Sequence, residues 1–133
     1  MAANIRASIC HVNRWKYKAN VPFYLVHGRS GSDIILTEKV SGELEMLQRH
    51  LLMLKQVVEH EPIGILKIAE ETRIPSHKVR YSLRVLEQEG LIKASAPGAI
   101  TTEQTRPFLK NLDGMIEDLA RRTQDLKNIR ISR

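Results

Sequence analysis

A proline between two short amphipathic segments constrains the middle of this chain most strongly. Residues 65–72 carry apolar side chains at helical spacing. Pro75 disfavours helical geometry at Ile74 and cannot supply an internal helix hydrogen bond, so the first helix must end there. Pro75 is well placed as the first residue of a second helix over 77–89, which Gly90 ends. The sequence therefore predicts two helices joined by a tight turn.

Two short strands are predicted after the second helix. Residues 91–95 and 100–102 have strand character, and residues 96–99 contain a proline and a glycine that favour a turn. Helix, turn, helix and hairpin in this order outline a winged helix-turn-helix, whose second helix enters the major groove of DNA. We therefore expect a mainly α fold with a small β component (α+β).

The second helix has one apolar face and one basic face. Val79, Leu83 and Leu86 share the apolar face at about 100° per residue. Residues 76–84 contain three basic residues and no acid, whereas a merely solvated helix face usually mixes charges of both signs. The candidate DNA-binding residues are Ser76, His77, Lys78, Arg80, Tyr81, Arg84 and Lys93.

These candidates divide by the part of DNA that their chemistry suits. We expect base-edge contacts from Ser76, His77, Arg80 and Tyr81. Arginine prefers guanine in the major groove, while the tyrosine and serine suit either bases or phosphates. Lys78, Arg84 and Lys93 suit phosphates. Beyond Lys93 the hairpin is nearly uncharged, so its contribution in a minor groove should be small.

The segment 79–92 resembles the recognition helix and first wing strand of bacterial and archaeal winged helix-turn-helix transcription regulators. Its particular amino-acid sequence is more similar in character to the archaeal members. Residues 68–72 match the preceding helix of that family, and residues 100–102 match the end of the wing. The resemblance implies a DNA-binding regulator. One departure concerns the turn position that is often glycine, which is Arg73 here, so this residue must adopt the left-handed conformation itself or the turn must differ.

The positive charge is concentrated at the beginning of the chain. The formal net charge is +6, and residues 1–32 hold five basic residues and no acid. Strand-like patterns at 14–18, 21–26 and 33–36 predict a basic, β-rich segment over residues 1–40. Its basic face suits a second DNA contact, or equally an edge strand that lysines protect against aggregation.

A helix over residues 43–60 should open the domain that spans 41–105, with Ser41 as its N-cap. Leucine and valine residues form a continuous stripe along it, and three further apolar residues widen that stripe. We therefore expect a helix that is buried on a broad front. The stripe consists of Leu44, Leu47, Leu51, Leu54 and Val58, and the widening residues are Leu52, Met53 and Val57.

The last segment, 106–133, is predicted to be an amphipathic helix that pairs two copies of the chain. Its apolar residues repeat in steps of four and three, interrupted by Arg122, as in a two-stranded packing seam. A homodimer would present two recognition helices to consecutive turns of DNA. The alternative is that the seam packs on the first helix of its own chain. The candidate dimerisation residues are Phe108, Leu112, Met115, Leu119 and Leu126.

Other classes of function receive little support from the sequence. No nucleophile or carboxylate pair lies in an activating arrangement, so we expect neither an enzyme, a cofactor nor a metal site. The single Cys10 excludes an intrachain disulfide and suits the cytoplasm. No apolar run approaches the roughly 18 residues that a membrane span needs.

The alternative function is that of a winged-helix protein-interaction module in a larger nucleic-acid-processing assembly.

Overall fold

The middle of the chain folds in the order that the sequence predicts. A computed structural model describes residues 35–131. The chain divides into two units, Met1–Gly42 and Glu43–Arg133, and the second unit contains the helix-turn-helix and the hairpin. The elements are α1 (Ile35–His60), α2 (Ile65–Thr72), α3 (Ser76–Gln88), β1 (Ile92–Ser95), β2 (Gly98–Thr101), α4 (Thr105–Asp125) and a 3-10 turn (Leu126–Asn128). The predicted α+β winged-helix fold is confirmed.

Helix α1 begins earlier than the sequence predicts. Ile35 and Leu36 are helical, so their assignment to a strand was wrong, and Ser41 lies inside the helix instead of capping it. A short apolar run does not by itself distinguish a strand from a helix. Glu38 in the first turn favours the helical start, because its charge complements the helix dipole. The other two predicted strands, 14–18 and 21–26, lie outside the described residues.

The turn between α2 and α3 is tight because Arg73 adopts the left-handed conformation itself, with φ 56° and ψ 26°. The Thr72 hydroxyl donates to the carbonyl of Ile68 at 2.7 Å and accepts the N–H of Ile74 at 3.4 Å. Pro75 is the N-cap residue of α3, and the helix begins one residue later. The expected break at Pro75 is therefore confirmed.

The core of the second unit gathers apolar residues from α1, α2, α3 and the hairpin. Its members are Met53, Leu54, Val57, Ile63, Ile68, Ile74, Val79, Leu83, Leu86, Leu91 and Ile92. Burying each aliphatic side chain of this kind contributes about 1.5–3 kcal/mol to stability before the entropy of ordering is counted. The broad burial predicted for α1 is wrong at the ends of the stripe, because Leu44 and Val58 are exposed at 45% and 39%. The packed face instead runs through Met53, Leu54 and Val57.

The wing is a two-stranded antiparallel sheet that is attached to the chain before α2. Ile92 pairs with Thr101 and Ser95 with Gly98, so the loop is shorter than the predicted 96–99 turn. The N–H of Ile63 donates to the carbonyl of Ala99 at 3.1 Å, and the N–H of Ala99 donates back at 2.8 Å. These two bonds fix the hairpin beside the start of α2.

Side chains fix the base of the wing, where β1 begins and β2 ends. The Glu61 carboxylate accepts the N–H of Thr101 at 2.5 Å, and this bond holds the pKa of Glu61 below its usual range. The hydroxyls of Thr102 and Thr105 donate to the carbonyls of Gly90 and Leu91, each at 2.5 Å. The N–H of Thr102 also donates to the Thr105 hydroxyl at 3.1 Å. Thr102 therefore connects the end of β2 both to the chain after α3 and to the first residue of α4.

We predict that Gly98→Ala loosens the wing. Gly98 has a φ of 149°, and an added Cβ would lie 2.6 Å from the backbone carbon and oxygen of Ile63. The substitution should cost about 1–3 kcal/mol of unfolding free energy, measured by denaturant unfolding. Gly42→Ala is the matched control, because a Cβ at this helical position meets nothing within 4 Å. The control should stabilise α1 by about 0.5–1 kcal/mol. Equal effects of the two substitutions would contradict the close approach at Gly98.

Candidate nucleic-acid interface

One face of α3 is buried and the opposite face is open to solvent. Val79, Ser82, Leu83 and Leu86 are buried, whereas Tyr81 is 51% exposed. Lys78 is half-buried, and the other predicted contact residues of this helix are exposed. These exposed residues are Ser76, His77, Arg80, Tyr81 and Arg84. The described residues therefore leave the basic face of the helix accessible.

A groove between α3 and the wing brings three of the predicted residues together. Arg80 and Arg84 lie one helical turn apart on one wall, and Lys93 on β1 lies on the other. Lys93 is exposed, whereas its neighbour Ile92, on the opposite face of the strand, is buried in the core. The groove has a volume of about 550 Å³. Three cations converging on one groove create a site that favours an anionic chain.

One acid also lines this groove, near the end of α3. The carboxylate of Glu87 accepts the N–H of Ala94 at 3.3 Å. The acid therefore serves to attach β1 to the helix. Ile63, Ile65 and Leu83 also line the groove and supply apolar surface to it.

The start of α3 adds backbone donors to the same face. The N–H groups of Lys78 and Val79 donate to the carbonyl of Pro75 at 2.9 and 3.1 Å. In the described residues, the N–H groups of Ser76 and His77 precede these bonds and have no hydrogen-bond partner. Free N–H groups at a helix N-terminus favour phosphate, because the helix dipole places partial positive charge there.

Two residues of α1 contact α3, and nothing in the sequence pattern pointed to them. The Nε of Arg49 donates to the Oγ of Ser82 at 3.2 Å. The ring of His50 lies 6.0 Å from that of Tyr81, centroid to centroid, with an angle of 38° between the planes. Such contacts join residues more than thirty positions apart, so helical periodicity carries no signal for them.

Burial lowers the pKa of His50 below its ordinary value of 6.5, and the neighbouring charge of Arg49 lowers it further. The Nδ1 atom of His50 is buried and has no hydrogen-bond partner among the described residues. His50 is therefore neutral at pH 7 and contacts Tyr81 through its ring.

The apolar residues of α4 and of the 3-10 turn after it divide between the core and solvent. Phe108 packs against the core, and Leu112 is half-buried. Met115, Leu119 and Leu126 are exposed at 41%, 39% and 62%. The role of all five residues in dimerisation stays a prediction, and Phe108 also has a partner surface within its own chain.

Arg122, the charged interruption of the predicted seam, is paired within its own helix. Its Nε lies 2.8 Å from one carboxylate oxygen of Asp118, and Arg121 contacts the other oxygen. The positive charge beside the apolar residues of α4 is thus partly neutralised within the helix itself.

Residues 35–131 contain neither a metal-binding cluster nor a membrane-spanning helix. No group of three or more His, Cys, Asp or Glu side chains in this part of the chain is arranged to hold a metal ion. None of the helices described has the length and apolar character that a membrane span requires.

Comparison with known proteins finds similarity among solved structures. No protein-family model matches the chain, and no curated protein matches it. Among solved structures, it is similar to a cysteine mutant of Lactococcus lactis ZitR, with 25% identity and a TM-score of 0.38. The alignment covers 93% of this chain and 80% of that one. The winged helix is defined here by the chain's own elements, α2, α3 and the β1–β2 hairpin.

We predict that the protein loses stability as the pH falls from 6.5 toward the lower pKa of folded His50. The unfolded chain binds a proton on this ring in that window and the folded chain does not, so protonation favours unfolding. His50→Leu should flatten this part of the curve of unfolding free energy against pH, measured by denaturant unfolding. His60→Leu, at an exposed position of α1, is the control and should leave the curve unchanged. An unchanged curve in His50→Leu would show that this ring does not titrate differently on folding.

Proposed function

We propose that the protein is a sequence-specific DNA-binding transcription regulator that binds duplex DNA as a homodimer through α3. The observation that carries this proposal is the exposed, basic face of α3, with Arg80 and Arg84 facing Lys93 across one groove. The resemblance of residues 79–92 to winged helix-turn-helix regulators supports the same conclusion.

The arrangement suits the two kinds of contact that DNA recognition requires. Arg80 and Tyr81 lie in the first half of α3, the part of a recognition helix that reaches base edges. Lys78, Arg84 and Lys93 lie around them and suit phosphates, which position the protein without reading sequence. Ser76 and His77 add side chains and free N–H groups at the helix start.

The homodimer is supported by α4. Beyond Phe108, Met115 and Leu119 on α4 and Leu126 in the 3-10 turn after it are exposed in the chain as described. Exposed apolar residues in a row along a helix suit a second helix, because pairing removes them from water. Two copies of α3 related by a two-fold axis would require an operator with two half-sites.

Selection of bound sequences from random duplex DNA tests this function most directly. We expect an inverted repeat, because a symmetric dimer reads two half-sites. Absence of any enriched sequence, together with no salt-dependent binding, would overturn the proposal. If variants with reversed charge at Arg80 and Arg84 keep the biological function of the protein, the alternative function as a protein-interaction module is favoured instead.

We predict that Arg80→Ala and Arg84→Ala weaken DNA binding in different ways. Loss of Arg80 should remove about 1–3 kcal/mol of discrimination at one base position. Loss of Arg84 should weaken binding to all sequences and reduce the slope of log affinity against log salt by about 0.9. Fluorescence anisotropy across a salt series measures both effects. Lys110→Ala, an exposed cation on α4, is the matched control and should change neither quantity.

We predict that Leu119→Asp converts the protein to a monomer. A buried carboxylate in a helix pair is costly, whereas the exposed position within one chain tolerates it. Sedimentation equilibrium should show half the mass of the unmodified protein, and affinity for a two-half-site duplex should fall. Leu66→Asp is the control, because Leu66 is 79% exposed on α2. A lower melting temperature with unchanged mass would show that α4 packs on its own chain.

A further inference from the structure

Two consecutive residues of α1 contact two consecutive residues of α3. Arg49 bonds the hydroxyl of Ser82 at 3.2 Å, and His50 packs its ring near that of Tyr81 with 6.0 Å between centroids. This separation lies in the range in which aromatic rings attract each other. The first contact is polar and the second is a ring contact, so they fail under different substitutions.

The two contacts are made to different sides of α3. Ser82 is completely buried, whereas Tyr81 is half exposed beside Arg80 on the basic face. Consecutive residues of a helix point about 100° apart. Fixing both therefore fixes the rotation of α3 about its own axis more closely than core packing alone, and this rotation decides the direction in which Arg80 and Tyr81 point from the exposed face.

Each contact also does something that purely apolar packing between the two helices would not do. The hydroxyl of Ser82 lies in the core and needs a partner, and the Nε of Arg49 supplies it. The ring of His50 supports one side of Tyr81, a residue whose other half stays exposed. In the described part of the chain the Tyr81 hydroxyl has no hydrogen-bond partner, so its own end remains available to a ligand.

We propose that Arg49 and His50 are positioning residues for DNA reading: from α1 they set the rotation of α3 and orient Tyr81 toward base edges. This inference rests on the proposed function. Neither residue needs to touch DNA. Their effect should therefore appear in sequence preference and not in the phosphate-driven part of the affinity.

A double-mutant cycle between His50 and Tyr81 tests the ring contact. The full-length chain is compared with His50→Leu, Tyr81→Leu and the double variant. The readout is the ratio of affinities for the selected duplex and a scrambled duplex of equal length. Each single variant should lower this ratio about tenfold. The double variant should lose little more than Tyr81→Leu alone, because its partner is already absent. The salt slope should stay unchanged, since no phosphate contact is removed.

A second set of variants tests the Arg49 contact. Arg49→Met leaves the buried Ser82 hydroxyl without its partner and should lower both stability and the affinity ratio. Adding Ser82→Ala removes the unpaired hydroxyl and should restore stability. The affinity ratio should stay low in the double variant, because the link that sets the helix rotation is still missing. His60→Leu serves as the control for substitutions on α1.

The outcomes separate this inference from the function on which it rests. If the unmodified protein binds no duplex, the proposed function fails and the positioning role fails with it. If it binds a selected sequence but the His50 and Tyr81 effects are additive, only the positioning role is overturned. An affinity ratio that recovers together with stability in Arg49→Met/Ser82→Ala would likewise reduce Arg49 to a structural residue. Should His50→Leu fail to fold, His50→Gln provides the same cycle with a polar side chain of similar length.

Discussion

Burial of one face of α3 is the interaction on which the rest of the structure depends. Val79, Leu83 and Leu86 pack with α1 and α2 in a single core. Only a narrow range of rotations of α3 buries these three residues, and every rotation in that range turns Arg80, Tyr81 and Arg84 outward. The free energy that holds the fold together and the exposure of the basic face are therefore two consequences of one set of contacts.

The wing is held in place mainly by hydrogen bonds from backbone groups and hydroxyls, because the hairpin is too small to be stable by itself. Two strands of four residues are marginal by themselves. The paired hydrogen bonds between Ile63 and Ala99 attach the hairpin to the start of α2. The hydroxyls of Thr102 and Thr105 attach the base of the hairpin to the chain after α3. As a result Lys93 is held opposite Arg80 and Arg84, and three cations from two elements share one groove.

Helix α1 has two parts in this arrangement. Met53, Leu54 and Val57 form its buried side in the core. Arg49 and His50 lie one to two turns earlier and contact α3 directly. If the protein reads DNA as proposed, α1 contributes to recognition without contributing a residue to the interface. Sequence preference would then respond to changes well outside the basic face.

Local sequence was sufficient for most of the elements. Pro75 and the apolar spacing on either side of it determined two helices and the turn, and the same spacing separated the buried from the basic face of α3. These features depend on steric rules and periodicity that act within a few residues. Tertiary structure alone decided the groove at Lys93, the contacts of Arg49 and His50, and which apolar residues of α1 and α4 are covered. Those outcomes depend on residues that meet only after the chain has folded, so no local pattern encodes them. Phe108 illustrates the difference, since its place in a repeat suited a dimer seam while packing gave it a neighbour in its own core.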